Sequence, residues 1–480
     1  MSKDSSVKKN FAYQMIYELL ILILPFVTSP YIARVIGADG VGNYSYTYTI
    51  ANYFVLFAML GIKNYGNRAI AQARDNQDKL NVTFSNILFV HIFVSLICCI
   101  CYVVYVLFFA TEKIYSLIQF SVVLGALFDI SWFYFGIEKF KLTVLRSTVI
   151  KIINVICIFL FVNDSDDLWI YCLIMGLGSL ISQMSLWIVL RKYVRILKPD
   201  KDSIKVHLKP MIVLFLPVIA ISLYKYMDKI MIGMLSSKTQ LGFYENAEKV
   251  VNMPVSIIGS FGTVMLPKMS NLASKSDNKT AIIYISQSMR YIMCLAFALS
   301  FGVASIGQTF APVFWGDKFI PSGPLIVGLS FTIPFMSYAN IIRTQYLIPH
   351  SRDKEYLTSV VVGAVCNIIL NIILIPIYGA MGATIGTLCA EISVCLVQAF
   401  VVRKELPVLA YCKEAFIFLI TGIIMFCIVW NIGHVMNPSV SVLILQVVCG
   451  VVVYGITAFI IFYRRKDNML INILQKLKRH

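Results

Sequence analysis

Lys225, Asp228 and Lys229 lie three and four residues apart in an otherwise apolar stretch, so a helix places them on one face. Two ammonium groups steadied by a carboxylate would make a wall that binds pyrophosphate or acidic sugars. The alternative is a cluster that snorkels to the headgroups near Gly233. Other charges are embedded in the same way. Arg34 ends one apolar stretch, Arg290 and Arg343 lie inside two more, and Lys151 and Lys249 inside others. A charge at the centre of a bilayer costs roughly 2.5–3.5 kcal/mol on insertion scales, so each must face water, a partner or the interface. The embedded carboxylates include Glu18, Asp129, Asp228 and Glu391, with Glu245 and Glu248. Gln14, Glu18, Pro25 and Thr28 share one helical face, and Thr384, Thr387 and Glu391 share another. Carboxylates so placed suit either H⁺ or Na⁺ coupling or pairing with Arg or Lys; for Asp129, structural pairing is the expectation. Tyr44, Tyr48 and Asn52 share a face, as do Tyr244, Glu248 and Asn252. Tyrosine rings stack on sugars and amides hydrogen-bond them. The plain alternative is polar contact between helices, worth about 0.6 kcal/mol per pair.

The elements that must position these residues are fourteen apolar segments between 11 and 463, each about 20 residues or more, enough to cross a ~30 Å hydrocarbon core. They fall near 11–33, 40–62, 83–109, 114–136, 142–162, 168–190, 209–232, 240–266, 281–308, 322–348, 355–377, 380–402, 413–434 and 440–463. The 480 residues are 59% hydrophobic and only 14% charged, which excludes a soluble domain with a polar surface. The net charge of +17 reads as topology, not as nucleic-acid binding. Even-numbered gaps hold the cations: Lys63, Arg68, Arg74 and Lys79 after span two, seven Lys or Arg between Arg191 and Lys209 after span six, and Arg464 onward in the tail. Odd-numbered gaps hold few, and one carries Asp164, Asp166 and Asp167. This alternation places both termini in the cytoplasm. The cysteines read as small apolar fillers, and no metal site or cofactor is expected. Residues 467–480 could form an interfacial amphipathic helix.

The chain also repeats itself. Leu24-Pro25 in span one matches Leu216-Pro217 in span seven, and the Gly42…Tyr44…Asn52 spacing of span two recurs as Gly242…Tyr244…Asn252 in span eight. The expected organisation is a six-helix lobe over 1–190, a basic cytoplasmic linker at 191–209, a second six-helix lobe over 210–402, and helices 13–14 with a basic tail over 403–480. Two parallel repeats imply a central cavity that opens to each side in turn.

Several stretches resemble one family. Leu24-Pro25-Phe26, Pro30-Tyr31-Ile32-Ala33-Arg34-Val35-Ile36-Gly37 and Gly40-Val41-Gly42-Asn43-Tyr44 are similar to the opening of the Wzx-like polysaccharide flippases. These belong to the multidrug/oligosaccharidyl-lipid/polysaccharide exporter superfamily. The stretch from Asp129 to Phe140, the segment Asp228-Lys229-Ile230-Met231-Ile232-Gly233, Leu241-Gly242-Phe243-Tyr244, and Tyr378 through Glu391 resemble later spans of the same family. One departure is His350, where many relatives have glycine. The resemblance implies an all-α integral membrane fold of about 14 transmembrane helices, with two pseudo-symmetric six-helix lobes like those of the multidrug exporters plus two C-terminal helices. It implies a bacterial plasma-membrane protein, not an enzyme, that carries undecaprenyl-pyrophosphate-linked oligosaccharide units from the cytoplasmic to the outer leaflet. It further implies membrane lipids, a polysaccharide polymerase and chain-length machinery as partners, and no nucleic acid. On that reading Arg34, Lys225, Lys229, Arg290, Arg343, Tyr44, Tyr48, Asn52, Tyr244 and Asn252 would contact substrate. A peptidoglycan-precursor flippase and a multidrug/cation antiporter remain open, the second needing an acidic cavity. An enzyme is disfavoured because the external gaps are short. ATP hydrolysis is disfavoured because no GxxxxGK[ST] loop is present.

Overall fold

The computed structural model describes the backbone of 3–198 and 201–465 and, within these, the side chains from Ile23 onward except at 201–205, 216, 217, 220 and 223–225. The side chains of Glu18, Pro217 and Lys225 and the expected amphipathic segment 467–480 therefore lie outside what is described. The regular elements of the described chain are all helices. In order the helices are α1 (Lys3–Met59), α2 (Ile62–Ala73), α3 (Gln77–Phe108), α4 (Lys113–Leu127), α5 (Ser131–Gly136), α6 (Phe140–Phe161), α7 (Leu168–Leu190), α8 (Lys201–Leu235), α9 (Lys238–Ser274), α10 (Asn278–Trp315), α11 (Ser322–Ser330), α12 (Thr332–Ile342), α13 (Asp353–Tyr378), α14 (Ala380–Val402), α15 (Val408–Val435) and α16 (Val440–Arg464). Twelve described stretches are long and apolar enough to cross a membrane. Helix α1 carries the first and second expected spans in one rod, and α8 carries the seventh, so the fourteen-span reading holds. All twelve cysteines are free thiols.

The rod α1 bends where the sequence places the first gap. Gly37 adopts φ 71°, ψ −178° inside it, a backbone conformation that costs glycine little and other residues much. Gly61, at φ 72°, then separates α1 from the short amphipathic helix α2. Helix α2 buries Ile62, Tyr65 and Ile70 against an aromatic cluster built by Phe84, Trp132 and Phe133, so it is an element of the core as well as a charged gap.

The fourth span differs from its expected form. It is not continuous over 114–136 but breaks at Phe128-Asp129-Ile130 into α4 and α5. The break is locally satisfied. Asp129 Oδ1 accepts the Ser131 N–H at 2.9 Å, the Trp187 indole N–H donates to the Phe128 carbonyl at 2.9 Å, and the His91 ring lies 2.8 Å from the Ala126 carbonyl. A break at membrane depth survives where buried side chains take up the freed backbone groups, as here.

By compactness the chain divides into Met1–Gly242 and Phe243–His480. That division falls one helix beyond the basic linker expected at 191–209, since α8 packs on α1, α2 and α3. In the first unit α1 packs on α3, α4 and α6, and α4 on α7. In the second, α10 packs on α11, α12, α15 and α16, while α13 pairs with α14.

Within the first unit two of the repeat glycines meet. A Cβ on Gly42 would stand 1.7 Å from the Lys238 carbonyl oxygen, and one on Gly242 would stand 1.9 Å from that of Ala38. Both obstacles are backbone, which cannot swing aside. Gly42→Ala is therefore expected to lower the thermal midpoint of the purified protein clearly. Gly455→Ala, which meets nothing within 4 Å, should be neutral or stabilising by about 0.5–1 kcal/mol, as helical Gly-to-Ala changes are. Equal midpoints for the two variants would contradict the backbone contact.

Candidate functional site: a cationic cavity in the first unit

Helix α6 begins with a polar stripe, Thr143, Arg146, Ser147, Lys151 and Asn154, spaced so that a helix turns them to one side. They line a cavity of about 380 Å³ with Tyr48 of α1, Lys63 of α2, Asp129 and Ser131 at the broken fourth span, and Gln183 of α7. Among the described lining residues, three cations, Lys63, Arg146 and Lys151, accompany one carboxylate, Asp129. Arg146 is anchored: its guanidinium donates to the Ser182 carbonyl at 2.5 Å, to Gln183 Oε1 at 3.0 Å and to Ser147 Oγ at 3.1 Å. Lys63 is not. Its side chain is 63% exposed and its Nζ stands 3.9 Å from Asp129 Oδ2, while Asp129 is only 7% exposed. A long contact with one solvated partner binds weakly, so the lysine is free to turn toward another anion.

Lys63 also lines a second cavity of about 360 Å³ with Asn52, Tyr53, Asn64, Ser222 and Tyr226. Here the chemistry is amide, hydroxyl and ring. Tyr53 donates to the Ser222 carbonyl at 3.2 Å and meets the Tyr226 ring edge-on at 6.2 Å. The α1 face expected to be sugar-binding links the two cavities: Tyr44 stacks on Tyr48 at 5.3 Å, Tyr48 borders the first cavity and Asn52 the second. Outside the membrane-spanning stretches, the Arg74 guanidinium meets Glu138 at 2.6 Å and ties the end of α2 to the turn after α5. The hydrogen bond that the guanidinium donates to that carboxylate raises the Arg74 pKa above its ordinary value.

The other expected residues are dispersed. Arg34 is exposed on α1. Asp228 is buried and Lys229 half-buried on α8. In the second unit Arg290 pairs with Glu414 at 2.8 Å, and Arg465 approaches the same carboxylate at 3.8 Å. Arg343 opens a π-helical turn, Arg343–Leu347, and lies 5.6 Å from the Tyr356 ring centroid. Lys249 pairs with Glu245 at 3.3 Å. Tyr244 is buried with its hydroxyl 3.2 Å from Thr387 Oγ1, Glu391 is buried on the same helix as Thr387, and Asn252 is exposed. Of the expected residues whose side chains are described, Tyr48, Asn52, Asp129 and Lys151 line the two cavities. Sequence reasoning passed over Arg146 and took Lys63 as a topology charge. The signal available for Arg146 was the polar stripe it shares with Lys151.

Residues 7–273 match the family described as polysaccharide biosynthesis protein. The chain belongs to that family. It is 23% identical over 394 residues to a putative O-antigen transporter of Shigella dysenteriae, covering 81% of this chain and 98% of that protein. It is 24% identical over 400 residues to the capsular polysaccharide biosynthesis protein CapF of Staphylococcus aureus, covering 78% of this chain and 94% of the relative. Among solved structures, the inward closed conformation of the lipid II flippase MurJ superposes with a TM-score of 0.78 at 17% identity, over 95% of this chain and 100% of that one. The multidrug transporter DinF-BH superposes with a TM-score of 0.52 at 16% identity, over 84% and 96%. At these identities the two structures establish the fold, which is the one expected from the resemblance.

Asp129 has two structural duties that substitution separates. Asparagine keeps an oxygen for the Ser131 N–H and loses only the long contact to Lys63. Asp129→Ala is therefore expected to lower the thermal midpoint by the equivalent of about 1 kcal/mol, as loss of a cap does. Asp129→Asn should cost well under that. Equal losses would mean that the pairing, not the backbone hydrogen bond, carries the stability.

Proposed function

We propose that this chain is a flippase that carries lipid-linked polysaccharide repeat units, on an undecaprenyl pyrophosphate carrier, from the cytoplasmic to the outer leaflet by alternating access. The observation that supports it most is the excess of cations over carboxylates among the described residues lining a cavity walled by membrane-spanning helices. A surplus of cations among the described lining residues suits an anion, and a pyrophosphate is one that a membrane carrier presents at this depth. Lys63 would turn from Asp129 to the phosphate, with the fixed Arg146 beside it; hydrogen bonds to charged groups contribute about 1.5–3 kcal/mol each. Tyr48, Tyr53, Asn52 and Asn64 then lie where the attached sugars would be. The names of the O-antigen and capsule relatives agree with such a cargo. A multidrug/cation antiporter fits poorly, because a cationic cavity repels its substrates.

Arg34, Lys225, Lys229 and Arg343 are proposed as further cations on the route, and Arg290 as a structural partner of Glu414. With both termini cytoplasmic and the cytoplasm negative, each net negative charge carried outward gains roughly 2.3 kcal/mol per 100 mV. Coupling to H⁺ or Na⁺ would be needed only if protein cations cancel that charge in transit, and Asp228 and Glu391 are the carboxylates proposed for it. A polymerase and its chain-length partners would receive the product.

The test is transport of a fluorescent undecaprenyl-pyrophosphate oligosaccharide in proteoliposomes. The variant Lys63→Gln/Arg146→Gln/Lys151→Gln should lose at least about tenfold in rate, the scale of one charge-assisted contact, while keeping its elution profile in detergent. An unchanged rate would refute a cationic site here.

A further inference from the structure

The turn between α14 and α15 bears a surface that the flippase reading does not use. An open groove of about 1030 Å³ runs between the end of α14 and the start of α15, and among the described residues that line it Arg403 alone is charged. Its walls are apolar and outward-facing: Phe400 is 65% exposed and Leu409 79% exposed. Both helices are apolar enough to cross a bilayer, so acyl chains are the medium that meets this groove.

Arg403 lines the groove, and Lys404 and Lys413 follow closely on its two helix ends. Arg403, Lys404 and Lys413 are exposed. The two nearby carboxylates are engaged elsewhere, Glu405 with Arg352 at 3.4 Å and Glu414 with Arg290 at 2.8 Å. The three cations pair with no carboxylate among the described residues. Lys413 lies four residues after Leu409, on the same face of α15. Arg403 is oriented by its neighbours: the guanidinium carbon stands 3.3 Å from the Phe400 ring centroid, and one N–H donates to the Phe400 carbonyl at 3.2 Å. A guanidinium has five donors, so most remain to grip a phosphate.

We propose that this groove is a binding site for an anionic phospholipid of the bilayer, with an acyl chain along Phe400 and Leu409 and the phosphate at Arg403, Lys404 and Lys413. The charge complementarity and the apolar channel lie end to end, as the two halves of such a lipid do. The site would tie the last two helices to the anionic surface of the membrane independently of the transported cargo.

Native mass spectrometry of the purified full-length protein tests this, with dioleoylphosphatidylglycerol against dioleoylphosphatidylcholine as probes. The wild type should retain the glycerol lipid in preference. Arg403→Gln/Lys404→Gln/Lys413→Gln should lose that preference by about tenfold or more, since each cation near an anionic surface contributes about fivefold. Ala410→Trp, which fills the groove and keeps its cations, should lose it as well. Arg191→Gln/Lys192→Gln/Arg195→Gln, which removes as many charges elsewhere, should keep it. Equal retention of both lipids by the wild type, or loss only with the 191–195 variant, would overturn the site. Displacement of the glycerol lipid by equimolar undecaprenyl phosphate would assign the groove to the carrier instead, and would also overturn it.

Discussion

Asp129 holds a helix end and faces a lysine at once, and both follow from the cost of keeping a carboxylate among apolar helices. A buried charge is tolerated only when paired or hydrogen-bonded. Here one oxygen takes the first free N–H of α5 and the other looks toward Lys63. The break this creates in the fourth span turns Ser131 and Phe135 toward α6, whose polar stripe closes the other side. Without the break, a continuous apolar helix would pass through this place and the cations would have no polar wall to share.

The cavity that results is asymmetric in a way that matters chemically. Arg146 is held by three acceptors, whereas Lys63 is held loosely by one. A fixed guanidinium presents its donors without reorganisation, and a mobile ammonium can follow an anion. Lys63 stands at the junction of a cationic cavity and an aromatic, amide-rich one. The same arrangement suits a molecule whose phosphate and sugars are joined.

Much of the fold was legible in the chain. Hydropathy and the alternation of charges gave fourteen spans, and Gly37 marks the bend at the first gap by its freedom at positive φ. The break at Phe128–Ile130 was not legible, because averaged hydropathy runs smoothly across it and its repair comes from His91 and Trp187, distant in sequence. The site was legible in part. Tyr48 and Asn52 stood out by helical spacing and Lys151 as an embedded cation, but Arg146 lies near a span end, where a charge normally means an interface. Arg290 drew attention as an embedded cation; its partner Glu414 follows 124 residues later, a distance no local pattern bridges. The equal spacing of Gly42 and Gly242 was visible, whereas the approach of the two residues in space was not.

The account comes down to whether a phosphate-bearing saccharide crosses the bilayer through this protein. Depleting it from growing cells and measuring which leaflet holds the lipid-linked repeat units decides that most directly. The account predicts that these units build up on the cytoplasmic side and return to the outer leaflet when the intact chain is restored. An unaltered leaflet distribution on depletion would contradict it.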